Sequence, residues 1–168
     1  AQPCAVAWLT LDPADNDLGR LGMYVVAALR SLFADLSIDP REINDMPGDF
    51  SAANSRVYQL LDELPLFSTP FVLFLDEFVH ITDPEVLNFL DRLVATLGAG
   101  QRLVIGSRRS TNLHLGKLRV QGRLVELGTE SLCFSEGETR QFVRARMHTD
   151  SPEVELRHLH GRTEGWPA

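Results

Sequence analysis

Short apolar runs alternate with amphipathic stretches along the first hundred residues. The runs at residues 5–11, 71–75 and 102–105 have the length and the aliphatic and aromatic content of strands, and the middle run is typical of a strand buried on both faces. Between the runs, apolar residues recur every three or four positions, which is the spacing of one helix face. The predicted helices cover approximately residues 18–36, 51–64 and 83–97, and residues 37–50 are predicted to be a loop.

The pattern after residue 106 is weaker and predicts shorter elements. We expect a short helix over residues 113–119, a short strand over residues 124–127 and a last helix over residues 152–160. Ser135 with Glu138 three residues later is a capping box, which predicts a helix from about residue 136 to 147. Strands that alternate with helices predict the α/β class, with a parallel sheet, helices on both faces and a small helical appendage.

The composition is that of an ordinary globular domain with a net negative charge. Of 168 residues, 44% are hydrophobic and 23% charged, and the formal net charge of −7 argues against nucleic-acid binding by this segment alone. Cys4 and Cys133 are far apart, so we interpret them as reduced thiols in a cytoplasmic protein rather than as a disulfide framework. No apolar run has the length of a membrane span, and the sequence shows no basic n-region followed by an apolar h-region.

Polar residues follow two of the predicted strands. Asp76 and Glu77 end the apolar run at residues 71–75, and Ser107-Arg108-Arg109 follows the run at residues 102–105. Open α/β sheets bind ligands at the carboxyl ends of their strands, and carboxylates beside an arginine suit phosphoryl chemistry. Two simpler interpretations stay open: a buried strand followed by an acidic loop, and a solvated loop for the arginines.

The phosphate-binding loop (P-loop) of P-loop nucleotide hydrolases is absent from this sequence. The pattern Gly-x-x-x-x-Gly-Lys-Ser/Thr does not occur. The pair Gly116-Lys117 is followed by Leu118, and Thr111 stands where the first glycine belongs. We therefore expect this chain alone neither to hydrolyse ATP nor to bind it tightly, because that loop supplies most of the phosphate contacts.

Four segments, at residues 6–17, 71–81, 102–108 and 162–168, carry a resemblance to a known family. In this order they resemble segments of large bacterial LuxR-type regulators of the maltose-regulon-activator-like group, which belong to the STAND signal-transducing ATPases. The resemblance covers nearly the whole chain and is thinnest at residues 37–56. Each segment is weakly specific alone, whereas four in the right order are strong. They are residues 6–17, which resemble the segment after the P-loop; residues 71–81, similar to a Walker B strand with a trailing histidine; residues 102–108, similar to a sensor 1 strand; and residues 162–168, similar to a Gly-x-Pro signature.

The resemblance implies a fold, a division into domains and roles for five residues. It implies a three-layer P-loop-NTPase-like parallel sheet that lacks its P-loop strand, over residues 1–132, followed by the start of a helical lid over residues 133–168. The implied roles are Asp76 as a Mg²⁺ ligand, Glu77 acting on water, Arg108 sensing the γ-phosphate, Pro167 touching the adenine and Trp166 packing nearby. Glu77 departs from the aspartate more often found there.

By the same resemblance, we expect a fragment of an ATP-binding switch that couples ATP or ADP to self-association. The intact parent would be a slow ATPase, and DNA would be bound only by a separate domain. With the P-loop strand missing, residues 103–105 would expose a strand edge, which either pairs with residues 124–127 or with a second copy. The alternative is a non-catalytic α/β protein-interaction module, which would explain the missing loop directly.

Overall fold

The computed structural model describes residues 4–44, 50–147 and 152–166. The chain divides into two compact units, one reaching from the start to His114 and the other from Leu115 onward. The first unit holds strands β1 (Ala5–Thr10), β2 (Phe71–Asp76) and β3 (Gln101–Ile105), with helices α1 (Leu18–Leu32), α2 (Pro40–Asn44), α3 (Phe50–Glu63) and α4 (Pro84–Thr96). The second holds α5 (Gly116–Val120), α6 (Thr129–Leu132), α7 (Glu136–Met147) and α8 (Glu153–Thr163).

The sheet of the first unit is parallel and has the strand order β1-β2-β3. The predicted α/β class is therefore confirmed. In the register, Ala7, Leu73 and Leu103 are neighbours on one face, and Trp8, Phe74 and Val104 are neighbours on the other. The first face is packed against the helices, with Leu73 1% exposed. The sheet and its helices thus form a single core.

Among the described residues of the first unit, helices cover one face of this sheet, which corrects the prediction of helices on both faces. Trp8 is 56% exposed and Val104 38%. The physical reason is the strand order: both connections step in the same direction across the sheet, and right-handed crossovers that step in one direction lie on one side. Trp8 stacks on Phe74 with ring centroids 4.7 Å apart, so this open face carries a paired aromatic surface.

Helix boundaries follow the start signals of the sequence. Asp83 caps α4 by accepting from the N–H groups of Glu85 and Val86, with Pro84 at the first position, as predicted. The same Asp-Pro signal at Asp39 was overlooked. There the carboxylate accepts from the N–H of Arg41 at 2.9 Å, and α2 begins inside the predicted loop.

Two further expectations are wrong. Helix α1 ends at Leu32 rather than near residue 36, because Phe33 turns to an extended backbone and its ring stacks on Phe67 at 4.8 Å. Residues 124–127 are not a strand, and the sheet has no member from that segment. Val125 is 83% exposed there and Leu127 66%. Residues 124–127 therefore do not form the strand on which the predicted pairing with residues 103–105 depends.

The second unit is held by fewer buried residues. Helices α7 and α8 pack together, and Val143 and Leu156 are buried, at 7% and 8% exposure. The capping box at α7 is present: Glu138 accepts from the N–H of Ser135 at 2.8 Å, and Ser135 Oγ accepts from the N–H of Glu138 at 3.3 Å. The assignment of residues 1–132 and 133–168 to two functional domains stays a prediction.

Candidate functional site at the carboxyl edge of the sheet

Asp76 is the last residue of β2, and the carboxylate is held where the strand ends. Its Oδ1 accepts the N–H of Glu77 at 2.9 Å. The neighbouring strand is fastened to the same place, since Gly106 donates to the carbonyl of Leu75 at 2.9 Å and accepts from the N–H of Phe78 at 3.0 Å. The ends of β2 and β3 are thus fixed side by side.

Gly106 leaves the space that the Asp76 carboxylate needs. A Cβ added at Gly106 would lie 2.6 Å from Asp76 Oδ1, a separation that real Cβ atoms essentially never show. Any other residue would push the carboxylate aside. Gly106 directly follows a predicted strand. Its importance comes from Asp76, thirty residues away along the chain, and a local sequence pattern does not reveal such a contact.

Glu77 follows with its backbone in the left-handed region, at φ 53° and ψ 37°. Non-glycine residues adopt this conformation at a cost, and such residues cluster at functional sites. Its carboxylate Oε1 accepts from Arg108 Nη2 at 2.5 Å. Two residues predicted from separate motifs, one after β2 and one after β3, are therefore in direct contact, with Asp76 next to them.

A hydrogen-bonded clamp joins the loop after β1 to the segment that follows Glu77. Asn16 Oδ1 accepts from the N–H groups of Thr82 and Asp83 at 2.8 and 2.7 Å, and Asn16 Nδ2 donates to Thr82 Oγ1 at 3.2 Å. No role for Asn16 was predicted. Its contacts are with residues more than sixty positions away along the chain. The one signal in the sequence is that Asn16 lies in the turn at residues 12–17, whose Asp and Asn side chains commonly bond to backbone groups.

The acidic residues around Asn16 are structural. Asp15 is 3% exposed and accepts from the N–H of Asp12 and from Arg20 Nε at 2.8 and 2.9 Å. The hydrogen bond that Arg20 donates to the Asp15 carboxylate raises the pKa of Arg20 above its ordinary value. Asp17 caps α1 through the N–H of Arg20. Residues 12–17 therefore form a network that starts α1 and anchors the clamp.

The Gly-x-Pro segment lies in the second unit. Gly165 has φ 79°, and a Cβ there would come within 2.5 Å of the Phe134 carbonyl oxygen, while its own carbonyl accepts from the N–H of Phe134 at 2.8 Å. Only glycine fits this approach. Trp166 is 47% exposed. Pro167 lies outside the described residues, and the adenine contact implied for it stays a prediction.

The donor set fits magnesium only in part. Among the described residues, no group of three or more histidine, cysteine, aspartate or glutamate side chains is placed to hold a metal ion. Asp76 and Glu77 supply oxygen donors, which Mg²⁺ prefers, and Mg²⁺ in nucleotide sites takes one or two carboxylates and completes its shell with phosphate oxygens and water. Asp76 and Glu77 fit this nucleotide-site arrangement, in which the protein supplies one or two carboxylates.

These features define an α/β domain with a parallel sheet and charged residues at the carboxyl ends of its strands, consistent with a P-loop-like fold. No family model matches the chain. The chain is 26% identical over 161 residues to the HTH-type transcriptional regulator MalT of Cronobacter sakazakii, an alignment that covers 96% of this chain and 18% of that regulator. This similarity supports the predicted resemblance to bacterial transcriptional regulators.

The chain thus spans less than a fifth of the length of the regulator it matches. Of the helices in the described ranges, none combines the length and the apolar character that a membrane crossing requires.

Proposed function

We propose that this chain is part of the nucleotide-binding switch of a cytoplasmic LuxR-type STAND regulator. The observation that carries the proposal is the contact between Glu77 and Arg108, 2.5 Å apart, beside Asp76. Carboxylates and a guanidinium at the carboxyl ends of adjacent parallel strands are the groups that phosphoryl chemistry uses. The similarity to MalT over 96% of the chain supports the same proposal.

In the intact protein, each residue has a separate task. Asp76 holds Mg²⁺, which when bound neutralises phosphate charge. Glu77 orients or deprotonates the attacking water, and Arg108 binds the terminal phosphate. ATP and ADP then favour different arrangements of the α/β domain and the lid, and this equilibrium governs self-association. The family resemblance assigns Pro167 to contact with the adenine and Trp166 to packing nearby, and DNA binding belongs to a separate domain.

The test uses the full-length gene product. Glu77→Gln should slow hydrolysis by about 10²-fold or more while ATP stays bound, because an amide keeps the shape of the carboxylate but does not take a proton. Asp76→Asn should also weaken Mg²⁺-dependent binding, measured by calorimetry. Equal turnover of Glu77→Gln and the parent removes Glu77 from the mechanism. Micromolar binding of Mg-ATP by the 168-residue chain alone contradicts the proposed dependence on a P-loop.

A second candidate is the non-catalytic interaction module, and the open face of the sheet favours it. Val6 and Trp8 are 55% and 56% exposed, and parallel sheets are normally covered on both faces. Both candidates include association through the sheet. We propose that the free edge of β3, where Leu103 and Val104 lie, pairs with a second copy. An upstream Gly-x-x-x-x-Gly-Lys-Thr in the gene would favour the first candidate.

A further inference from the structure

Glu77 and Arg108 form an ion pair in the structure. The ion pair is bonded at 2.5 Å between Glu77 Oε1 and Arg108 Nη2. The proposed function needs both groups for other partners, a water for the carboxylate and a phosphate for the guanidinium. In the structure Nη2 of the guanidinium and Oε1 of the carboxylate are bound to each other rather than to those partners.

The two partners differ in how firmly they are held. The Glu77 side chain is 31% exposed, and its backbone is fixed by the N–H bond to Asp76 and by the bond from Phe78 to Gly106. The Arg108 side chain is 80% exposed and stands on the loop after β3. Arg108 is therefore the partner with room to move, and Glu77 is the fixed one.

We propose that this ion pair is a latch that a phosphate anion opens; the inference rests on the proposed function. A guanidinium binds phosphate oxygens bidentately, and a terminal phosphate carries more charge than one carboxylate. An exposed ion pair contributes little free energy, so a phosphate at the strand ends displaces Glu77 from Arg108. The Glu77 carboxylate is therefore released when the phosphate is in place. Until then, Arg108 neutralises it.

The latch makes a prediction about binding that differs from the catalytic prediction. Removing the Glu77 charge frees Arg108 in advance, so Glu77→Gln should tighten Mg-ATP binding by about two- to fivefold, the range that corresponds to an exposed pair. The gain should be absent for Mg-ADP, which lacks the terminal phosphate. It should also vanish when Arg108→Gln is present, because no guanidinium remains to be freed.

Calorimetric titration of the full-length protein with both nucleotides tests this with four proteins: the parent, Glu77→Gln, Arg108→Gln and the double variant. Glu42→Gln is the control, because it removes one negative charge from the same unit at a residue paired with Arg56 instead. A gain that persists in the Arg108→Gln background would mean simple charge repulsion and would overturn the latch. Equal affinity of all variants would overturn it as well. No nucleotide binding by any of them would instead defeat the proposed function, and the latch with it.

A measurement without nucleotide tests the pair by itself. In nuclear magnetic resonance spectra of the 168-residue chain, the guanidinium N–H signals of Arg108 should shift and exchange faster in Glu77→Gln, because the carboxylate that restrains them is gone. The Glu42→Gln chain should keep the parent signals. Arg108 signals that are identical in the parent and in Glu77→Gln would show that the pair does not form in solution, whatever the nucleotide experiment gives.

Discussion

At the scale of single residues, the candidate site depends on how closely β2 and β3 approach at their ends. A Cβ at Gly106 would contact the Asp76 carboxylate. Glu77 has a left-handed backbone, a conformation that persists only where the surrounding structure fixes it. Both features place the three charged residues within one small area. The site is therefore sensitive to substitutions that leave every charged group unchanged.

Gly106→Ala is expected to destabilise the chain by about 1–3 kcal/mol, the usual cost of forcing extra volume into a packed place. The added Cβ would have to displace Asp76 Oδ1 from 2.6 Å. Urea unfolding at neutral pH measures the change. Gly98→Ala is the matched control, since the nearest atom to its new Cβ, Gln101 Oε1, is 3.7 Å away. Equal stability of both variants would show that Asp76 moves without cost.

Local signals predicted the residues that act on nearby backbone. The Asp83-Pro84 start of α4 and the Ser135-Glu138 capping box follow from contacts within three residues, and both are confirmed. Asn16 and Gly106 were missed because their partners, Thr82 and Asp76, are distant in sequence. The contact between Glu77 and Arg108 was expected only as a shared cleft, from the rule that strands joined by one crossover are often neighbours.

At the scale of elements, the apolar pattern predicted strands β1 to β3 and their helices but not which faces would be covered. Burial on one face and exposure on the other depend on the direction of successive crossovers, which periodicity does not contain. Residues 124–127 have the composition of a strand, yet a strand also needs a partner at its edge. In the structure Glu126 is instead paired with Arg119, through three bonds of 2.8 to 3.0 Å.

Asn16→Ala should remove the clamp between the loop after β1 and the segment before α4. Two backbone N–H groups lose their acceptor, and we expect a loss of about 1–2 kcal/mol in the free energy of unfolding. Asn16→Asp is the control because it retains the oxygen that accepts from Thr82 and Asp83. Chemical denaturation should rank the parent first, Asn16→Asp next and Asn16→Ala last. An Asn16→Ala chain as stable as the parent would contradict the clamp.

The α7 capping box should be sensitive to acid. The hydrogen bond from the Ser135 N–H lowers the pKa of Glu138 below its ordinary value. A lowered folded pKa means stability that is present above the unfolded pKa and lost as pH falls through the folded pKa. The melting temperatures of the parent and of Glu138→Ala should therefore differ at neutral pH and converge in strong acid. A difference that stays constant across this range would rule out a charge-dependent cap.

At the scale of the whole molecule, charge is unevenly divided. Residues 1–114 contain 15 acidic and 8 basic side chains, and residues 115–168 contain eight of each, so the whole formal charge of −7 belongs to the first unit. That unit also has the open sheet face and an edge of β3 with which no strand of the described residues pairs. Repulsion between copies of this unit therefore opposes their association through the β3 edge.

Association through the β3 edge should strengthen with added salt, because screening weakens the repulsion. Val104→Lys should weaken it by about tenfold, since a lysine on an edge strand disfavours pairing with another chain. Val120→Lys is the control, because Val120 is 91% exposed on α5 rather than on the sheet. Light scattering over a range of concentrations measures both. A monomer at every concentration and salt level would reject edge pairing.

The stacked pair of Trp8 and Phe74 on the open face has a spectroscopic consequence. The chain has two tryptophans, and Trp8 and Trp166 belong to different units. Trp8→Phe leaves the emission of Trp166 alone, and the difference spectrum isolates Trp8. Because the indole of Trp8 is half exposed beside a ring 4.7 Å away, its emission and its quenching by acrylamide should respond to whatever binds that face. The sheet thus carries its own fluorescent reporter of occupancy.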